Sequence, residues 1–282
     1  MRELFMSNPY LVLSTFVLII VWLIFIRRRM MMQDTKSLPS VKIGNGQTIG
    51  GREEQDDYFS SASTVVGTIA ILADGISGLS NGRLSSTLAV TTFIKEFLKL
   101  GDLTEVDAFF TKAARISNSE IIRQVAGAGG GTTLVAAVLD GERLHWGAVG
   151  DSVLLVYRNR EFIAVNHKHT LEVLLQERVL TGEMSRKEAR DNPMRNRLIN
   201  YLGYDSFQNM EIGQEPFLLQ PGDKVLLLSD GVYNTLSEVE MDRILSRNLS
   251  PDEAATLLIE EIERKRLKNQ DNATVVILEP AI

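Results

Sequence analysis

The chain opens on a long apolar run. From Pro9 to Ile26 no side chain carries a charge, and a helix over that stretch extends roughly 27 Å, enough to cross the hydrocarbon of a bilayer. It is apolar on every face, unlike a core helix with one apolar stripe. It ends in Phe25-Ile26-Arg27-Arg28-Arg29, not in the small residues of a signal-peptide cleavage site. An uncleaved membrane-spanning helix is therefore expected at about residues 9–26, within an N-terminal segment 1–30. Arg2 precedes it, whereas Arg27, Arg28, Arg29, Lys36 and Lys42 follow. This charge bias keeps the large C-terminal part in the cytoplasm, so a single-pass cell-membrane protein is expected.

Residues 31–50 read as a linker entering a first strand at Val41-Lys42-Ile43, and a compact domain is expected over 37–282. Thr64 to Ala73 is a β-branched apolar run stopping at Asp74-Gly75, which predicts a buried strand and a turn. Helical spacing follows at Ser85–Leu100 and Val106–Val125, broken by Gly127 to Gly131. Thr132–Leu139 and Leu144–Gly150, joined at Asp140-Gly141, predict a β-hairpin; Val153–Tyr157 and Glu161–Val165 predict another. Short helices at Leu171–Leu180 and Ser185–Arg190, strands at Val225–Ser229 and Thr274–Leu278, and a helix at Pro251–Lys268 complete the pattern. Hairpins interspersed with long helices favour stacked antiparallel sheets covered by helices, with a parallel doubly wound sheet as the alternative.

Charge and composition narrow the chemistry. Residues 1–30 hold four of the 30 basic and one of the 36 acidic residues, so the remainder carries a net charge of −9. A nucleic-acid partner is not expected of so acidic a domain. The chain has no cysteine and three histidines, His145, His167 and His169. Thiolate zinc sites, disulfides and cysteine nucleophiles are thereby excluded. Carboxylate oxygens remain as metal ligands, and they suit Mg²⁺ or Mn²⁺.

Asp recurs where apolar runs meet turns, in Ala73-Asp74-Gly75, Gly150-Asp151-Ser152, Ser229-Asp230-Gly231 and Gln270-Asp271-Asn272, with Asp56-Asp57 ahead of another apolar stretch. Any one of these is an ordinary turn residue. Together, on strands of antiparallel sheets, they can converge on one rim, where their mutual repulsion calls for cations. Two divalent ions about 4 Å apart could activate water for in-line attack on phosphorus without a protein nucleophile.

These residues resemble the metal-dependent PPM, or type 2C, protein phosphatases of bacteria. The resemblance runs in order through Arg52-Glu53-Glu54-Gln55-Asp56-Asp57, Leu72-Ala73-Asp74-Gly75-Ile76-Ser77-Gly78, Gly131-Thr132-Thr133-Leu134 and Val149-Gly150-Asp151-Ser152. It continues through Leu180-Thr181-Gly182-Glu183-Met184, Asn192-Pro193-Met194-Arg195-Asn196, Pro221-Gly222-Asp223, Leu228-Ser229-Asp230-Gly231 and Asp271-Asn272-Ala273-Thr274. It implies an α/β fold of the α+β kind: a central sandwich of two antiparallel β-sheets flanked by helices, here preceded by one transmembrane helix. It also implies two divalent cations, Mn²⁺ or Mg²⁺, bridged by Asp74, with Asp57 and the Gly75 carbonyl on one side and Asp230 and Asp271 on the other. Asp56 would stand behind these ligands. Asp151 matches the position of a third, weaker ion, together with Glu183 or Asp191 of a flap over about 171–193. Arg52 matches the phosphate-binding arginine.

Several residues depart from the family pattern. Ser77 stands for a glycine, Gln55 for Asn, Ile76 for a His that some eukaryotic relatives use, Val153 for a frequent Arg, and Lys168 for the Asp before His169. His169 reads as a structural hydrogen-bonding residue. The expected function is hydrolysis of phosphoserine and phosphothreonine in proteins, the substrates of a Ser/Thr kinase. The alternative is a catalytically silent phosphoprotein-binding module. Loss of a metal-ligand Asp would favour the latter, and every such position retains its Asp.

Overall fold

The computed structural model describes residues 9–33, 41–76, 81–125 and 128–282, with the side chains of 14–24, 26 and 27 in the first helix. The chain divides into two units, Met1–Leu38 and Pro39–Ile282. In the first, α1 spans Pro9–Gln33, and side chains 14–24 are all exposed, among them Phe16, Leu18 and Trp22. Among the described residues no helix is long and apolar enough to cross a membrane. The helix covers the span expected at 9–26, of which the side chains of 9–13 and 25 lie outside the described residues, as do Lys36, Ser77 and Gly78.

The second unit runs β1 (Val41–Thr48), β2 (Tyr58–Thr64), β3 (Gly67–Ala73), α2 (Gly82–Phe97), a 3-10 turn (Leu103–Glu105) and α3 (Val106–Val125). There follow β4 (Leu134–Asp140), β5 (Arg143–Val149), β6 (Val153–Arg158), β7 (Glu161–Ala164), α4 (Leu171–Leu180) and α5 (Arg186–Arg190). The remainder is β8 (Glu211–Ile212), β9 (Phe217–Leu218), β10 (Lys224–Leu228), α6 (Asp230–Tyr233), α7 (Glu238–Leu245), α8 (Pro251–Arg264) and β11 (Ala273–Pro280).

One sheet has the order β1-β11-β10-β6-β7 and the other β2-β3-β4-β5-β8, with β9 also on β5. Every pairing between these strands is antiparallel. The doubly wound alternative is thereby excluded. Alternate residues of each strand point to opposite faces, and this period distributes the apolar side chains over three buried layers. Leu72, Val135, Ala137, Leu154, Val156, Leu227 and Val276 meet between the sheets. Ile69, Ile71, Ala136 and Val138 face α2 and α3, where Phe109 packs edge-on to Phe93 and Phe97 at 6.0 and 5.9 Å. On the other flank, Leu226, Leu228, Val275 and Ile277 face Ala255, Leu258 and Ile262 of α8 and Met241 and Ile244 of α7. Because β3 and β4 are covered on both faces, their sequences are continuous apolar runs.

Local chemistry sets the ends of several elements. Ser237 with Glu240 and Ser250 with Glu253 form capping boxes, the second followed by Pro251 at the first helical position. Asn159 and Arg160, at φ 51° and 70°, make the two-residue turn of the β6–β7 hairpin. The expected strand Thr64–Ala73 is in fact two strands, because Val65 and Val66 form the turn between β2 and β3. Both valines are strand-favouring residues, so only the antiparallel pairing of Thr64 with Gly67 reveals the reversal. Strand β2, of sequence Tyr-Phe-Ser-Ser-Ala-Ser-Thr at a sheet edge, has no residue fully buried and lacks a strong apolar signal.

Leu227 is fully buried between the sheets, whereas Leu180 is 85% exposed. Truncation of Leu227 to Ala is expected to destabilise the domain by about 2–5 kcal/mol, and truncation of Leu180 by less than about 0.5 kcal/mol. Chemical denaturation of the two variants measures the difference; equal losses would contradict the assigned core.

Candidate functional site

The two sheets deliver the acidic residues to one rim. Asp56 and Asp57 precede β2, and Asp74 follows β3, whose Ala73 pairs with Tyr58. Asp230 follows β10, Asp271 precedes β11 and Asp151 precedes β6; Leu228 of β10 pairs with Val275 on one side and Val153 on the other. Antiparallel pairing thus places six carboxylates from five separate stretches of chain at neighbouring strand ends.

Two glycines let these strand ends close up. A Cβ on Gly75 would lie 2.5 Å from the Gly82 carbonyl carbon and 2.8 Å from the Asp56 oxygen, and the Gly75 N–H donates to that oxygen at 3.3 Å. A Cβ on Gly231 would lie 2.0 Å from the Asn272 oxygen. Backbone can approach backbone this closely only where there is no side chain. The residue after Asp74 is so pressed against the Asp56 strand end, and the residue after Asp230 against that of Asp271.

Asn272 ties the same segments together from the side. Its Oδ1 accepts from the Asp56 N–H at 2.8 Å, and its Nδ2 donates to the carbonyls of Ile49 at 2.9 Å and Glu54 at 3.0 Å. Gln55 adds a further link: its Nε2 donates to the Thr48 carbonyl at 3.1 Å and its Oε1 accepts from the Asp57 N–H at 3.2 Å. The departure from Asn at position 55 therefore retains a bonding role. Thr133 and Ser152, joined at 2.6 Å, support Asp74, whose N–H donates to Thr133 Oγ1 at 3.2 Å. Asp56 accepts a hydrogen bond from the Arg83 backbone, at the start of α2, where Asn81 supplies no side-chain cap. Asn272, Ser229, Thr133 and Tyr233 were not singled out from the sequence; their signal was adjacency to the acidic motifs.

Electrostatics identify the strained members. Burial pushes the Asp57 carboxyl up to about 6 against the hydroxyls of Thr274 and Ser229, with Asp271 raising it further. Burial likewise pushes Asp230 up to about 7, reinforced by Asp151, Asp271 and Asp57. Asp74 is raised as well: burial and then the charges of Asp57, Asp230, Asp151 and Asp271 drive it well above the usual carboxylate range. It keeps some accessible surface even so. Asp57 Oδ2 accepts from Ser229 Oγ at 2.8 Å, while its Oδ1 is buried with no donor in hydrogen-bond geometry. The Thr274 hydroxyl and the Asp74 carboxyl temper the Asp57 charge without satisfying that oxygen. An orphaned buried carboxylate oxygen costs free energy unless a cation meets it.

The donor set therefore fits a hard divalent cation. It is not a closed cage, for among the described residues no group of three or more acidic or histidine side chains is disposed to hold an ion alone. Mg²⁺ and Mn²⁺ suit such a site, since hard ions of this kind take one or two carboxylates and complete the shell with water.

Arg52 lies at the edge of the cluster, with Nη2 2.7 Å from Asp271 Oδ2 and an exposed side chain. His169 is structural. Its Nδ1 faces two donors, the Gly150 N–H at 3.3 Å and Asn200 Nδ2 at 3.1 Å, so the neutral ring carries its proton on Nε2, towards Glu211. Glu183 and Asp191 are exposed, and neither is among the groups acting most strongly on Asp151. Cavities of 590 Å³ and 620 Å³ lie elsewhere. One is lined by Leu175, Val179 and Arg190 of the flap, the other by His169, Asn200 and Tyr204.

Comparison with known proteins gives a consistent result. A family model described as protein phosphatase 2C matches residues 43–269. The serine/threonine phosphatase stp of Listeria monocytogenes serovar 1/2a is 31% identical over 218 residues, covering 75% of this chain and 84% of that protein. The Mycobacterium tuberculosis serine/threonine phosphatase PstP/Ppp superposes with a TM-score of 0.68 at 26% identity, over 86% of this chain and 99% of that one. A structure of the PstP catalytic domain in complex with two manganese ions gives the same values.

The raised carboxyls make a signed prediction. A carboxyl whose folded pKa exceeds its ordinary 3.8 favours the fold fully below that value, and the contribution is lost as pH rises through about 7. With chelator present, the melting temperature should therefore fall between pH 5 and pH 8, and Mn²⁺ should raise it more at pH 8 than at pH 5. Differential scanning calorimetry tests this; equal stabilisation by Mn²⁺ at both pH values would contradict the electrostatic account.

Proposed function

This chain belongs to the protein phosphatase 2C family, the metal-dependent PPM phosphatases, and from that premise we propose that it removes phosphate from phosphoserine and phosphothreonine in proteins with two divalent cations, Mn²⁺ or Mg²⁺. The observation that carries this reading is the crowding of Asp57, Asp74 and Asp230, each raised above its ordinary range, around an orphaned Asp57 oxygen.

In this reading Asp57, the Gly75 carbonyl, Asp74, Asp230 and Asp271 would hold the two ions, with water completing their shells. When bound, such a pair supplies Lewis acidity and lowers the pKa of the attacking water. The protein's own part is alignment and charge. Arg52 is the phosphate-binding residue: its guanidinium, now 2.7 Å from Asp271, lies at the cluster edge and offers a planar fork of donors to two phosphate oxygens. Asn272 and Gln55 hold the Asp56-Asp57 turn in place. Ile76 has no titratable group, so protonation of the leaving alkoxide falls to water rather than to this position.

The substrates are phosphoproteins made by a Ser/Thr kinase. A membrane anchor at 9–26 with the catalytic domain on the cytoplasmic side is part of the same proposal. It is supported by the uncharged run ending in Arg27-Arg28-Arg29 and by the exposed Phe16, Leu18, Ile19 and Trp22 of α1.

Hydrolysis of para-nitrophenyl phosphate and of a phosphothreonine peptide is expected with Mn²⁺ and to vanish with EDTA. Asp230→Asn should lower kcat by more than roughly 100-fold, the upper range for losing a group that only supports a ligand. Arg52→Ala should raise KM roughly tenfold or more, since a charge-assisted hydrogen bond contributes about 1.5–3 kcal/mol. Activity that survives EDTA or Asp230→Asn would overturn the metal reading. For the anchor, the full chain should sediment with membranes after a high-salt wash and a chain lacking residues 1–38 should not; equal solubility of the two would refute it.

A further inference from the structure

Lys168 is a partly buried basic residue beside the carboxylate rim, and neither the fold nor the proposed chemistry accounts for it. Its placement begins in the backbone. The His169 N–H donates to the Gly150 carbonyl at 2.8 Å, and the Gly150 N–H donates back to His169 Nδ1 at 3.3 Å. This reciprocal pair locks residue 169 to residue 150, which sets residue 168 beside Asp151. The Lys168 side chain then lies inward, with Nζ 3.4 Å from the centre of the Tyr233 ring. The Tyr233 hydroxyl in turn donates to the Asp151 carbonyl at 3.1 Å. The carboxylates that attract the ammonium group are, in order, Asp151, Asp230 and Glu172. On Asp151 the strongest opposing charge is Lys168 itself.

From this geometry we infer that Lys168 is an internal counter-ion for Asp151 and Asp230, occupying the place where a third divalent cation would otherwise bind, and that this chain holds two ions rather than three. The inference rests on the reading that these carboxylates hold divalent cations. An ammonium group is a compact point charge with three donors, and its position on the Tyr233 face holds it next to the segment that carries Asp151. Repulsion between Lys168 and an incoming divalent ion then disfavours a further ion at Asp151. The acidic residues of the flap leave that place to the lysine: Glu183 and Asp191 are exposed and neither ranks among the main influences on Asp151. Lys168 is thus a positioning residue whose positive charge beside Asp151 sets the ion count.

The test is Mn²⁺ binding to the full chain in detergent by isothermal titration calorimetry, and melting of the chelated protein, for wild type, Lys168→Met and Lys168→Asp. Wild type should bind two equivalents of Mn²⁺. Lys168→Met and Lys168→Asp should gain a third, weaker equivalent, with the third-site midpoint roughly tenfold lower for Asp than for Met. The chelated Lys168→Met protein should melt below wild type at pH 8, because Asp151 and Asp230 lose their counter-ion. Two equivalents in all three proteins with unchanged melting would overturn the role of Lys168 and leave the two-ion reading standing. Wild type that binds no Mn²⁺ would overturn both, and wild type that already binds three would overturn this inference alone.

Discussion

The constraint on which the rest of the structure depends is electrostatic repulsion among carboxylates held at one rim. Asp74 faces the charges of Asp57, Asp230, Asp151 and Asp271, and in a setting poorer in water than bulk solvent these repulsions are amplified. A surface cluster would relax by rotating outward. Here relaxation is blocked, because each aspartate is fixed at the end of a strand whose register is set by the core behind it. The cluster can be quiet only by taking up protons or cations, and at neutral pH the second route leaves the carboxylates free to act as ligands.

The scaffold exists to withstand that cost. Three apolar layers, one between the sheets and one under each pair of helices, surround the strands that bear the acids. The contact points near the rim are backbone to backbone: Gly75 on the Asp56 carbonyl and Gly231 on the Asn272 carbonyl. Asn272 then converts this proximity into a fixed arrangement by bonding three residues, Ile49, Glu54 and Asp56, of the connection between β1 and β2. Stabilisation far from the site and strain within it are two sides of one design, in which packing energy opposes like-charge repulsion.

Charge is also balanced from within the chain. Arg52 pairs with Asp271 at the rim, and Lys168, laid over Tyr233, lies within the field of Asp151 and Asp230. The two cations differ in kind. The guanidinium is exposed, whereas the ammonium is partly buried and follows a backbone held by the pairing of His169 with Gly150.

Much of this was legible in the chain alone. Helix Val106–Val125 and helix Leu171–Leu180 have the limits their apolar periodicity gives, and the two hairpins around Asp140-Gly141 and Asn159-Arg160 follow from turn residues. Periodicity and turn chemistry are local, so sequence carries them. The reversal at Val65-Val66, the edge strand β2 and the short strands β8 and β9 were not legible, because their identity rests on partners distant in the sequence. The acids could be listed from their motifs. That Asp57 has an unpaired buried oxygen, that Arg52 rests on Asp271 and that Lys168 lies against Tyr233 are facts of proximity between residues from 65 to more than 200 positions apart. The sequence determined which chemical groups are available and which segments form helices and strands; only the tertiary structure decided which charges meet, because Coulomb and packing forces act on distance through space and not along the chain.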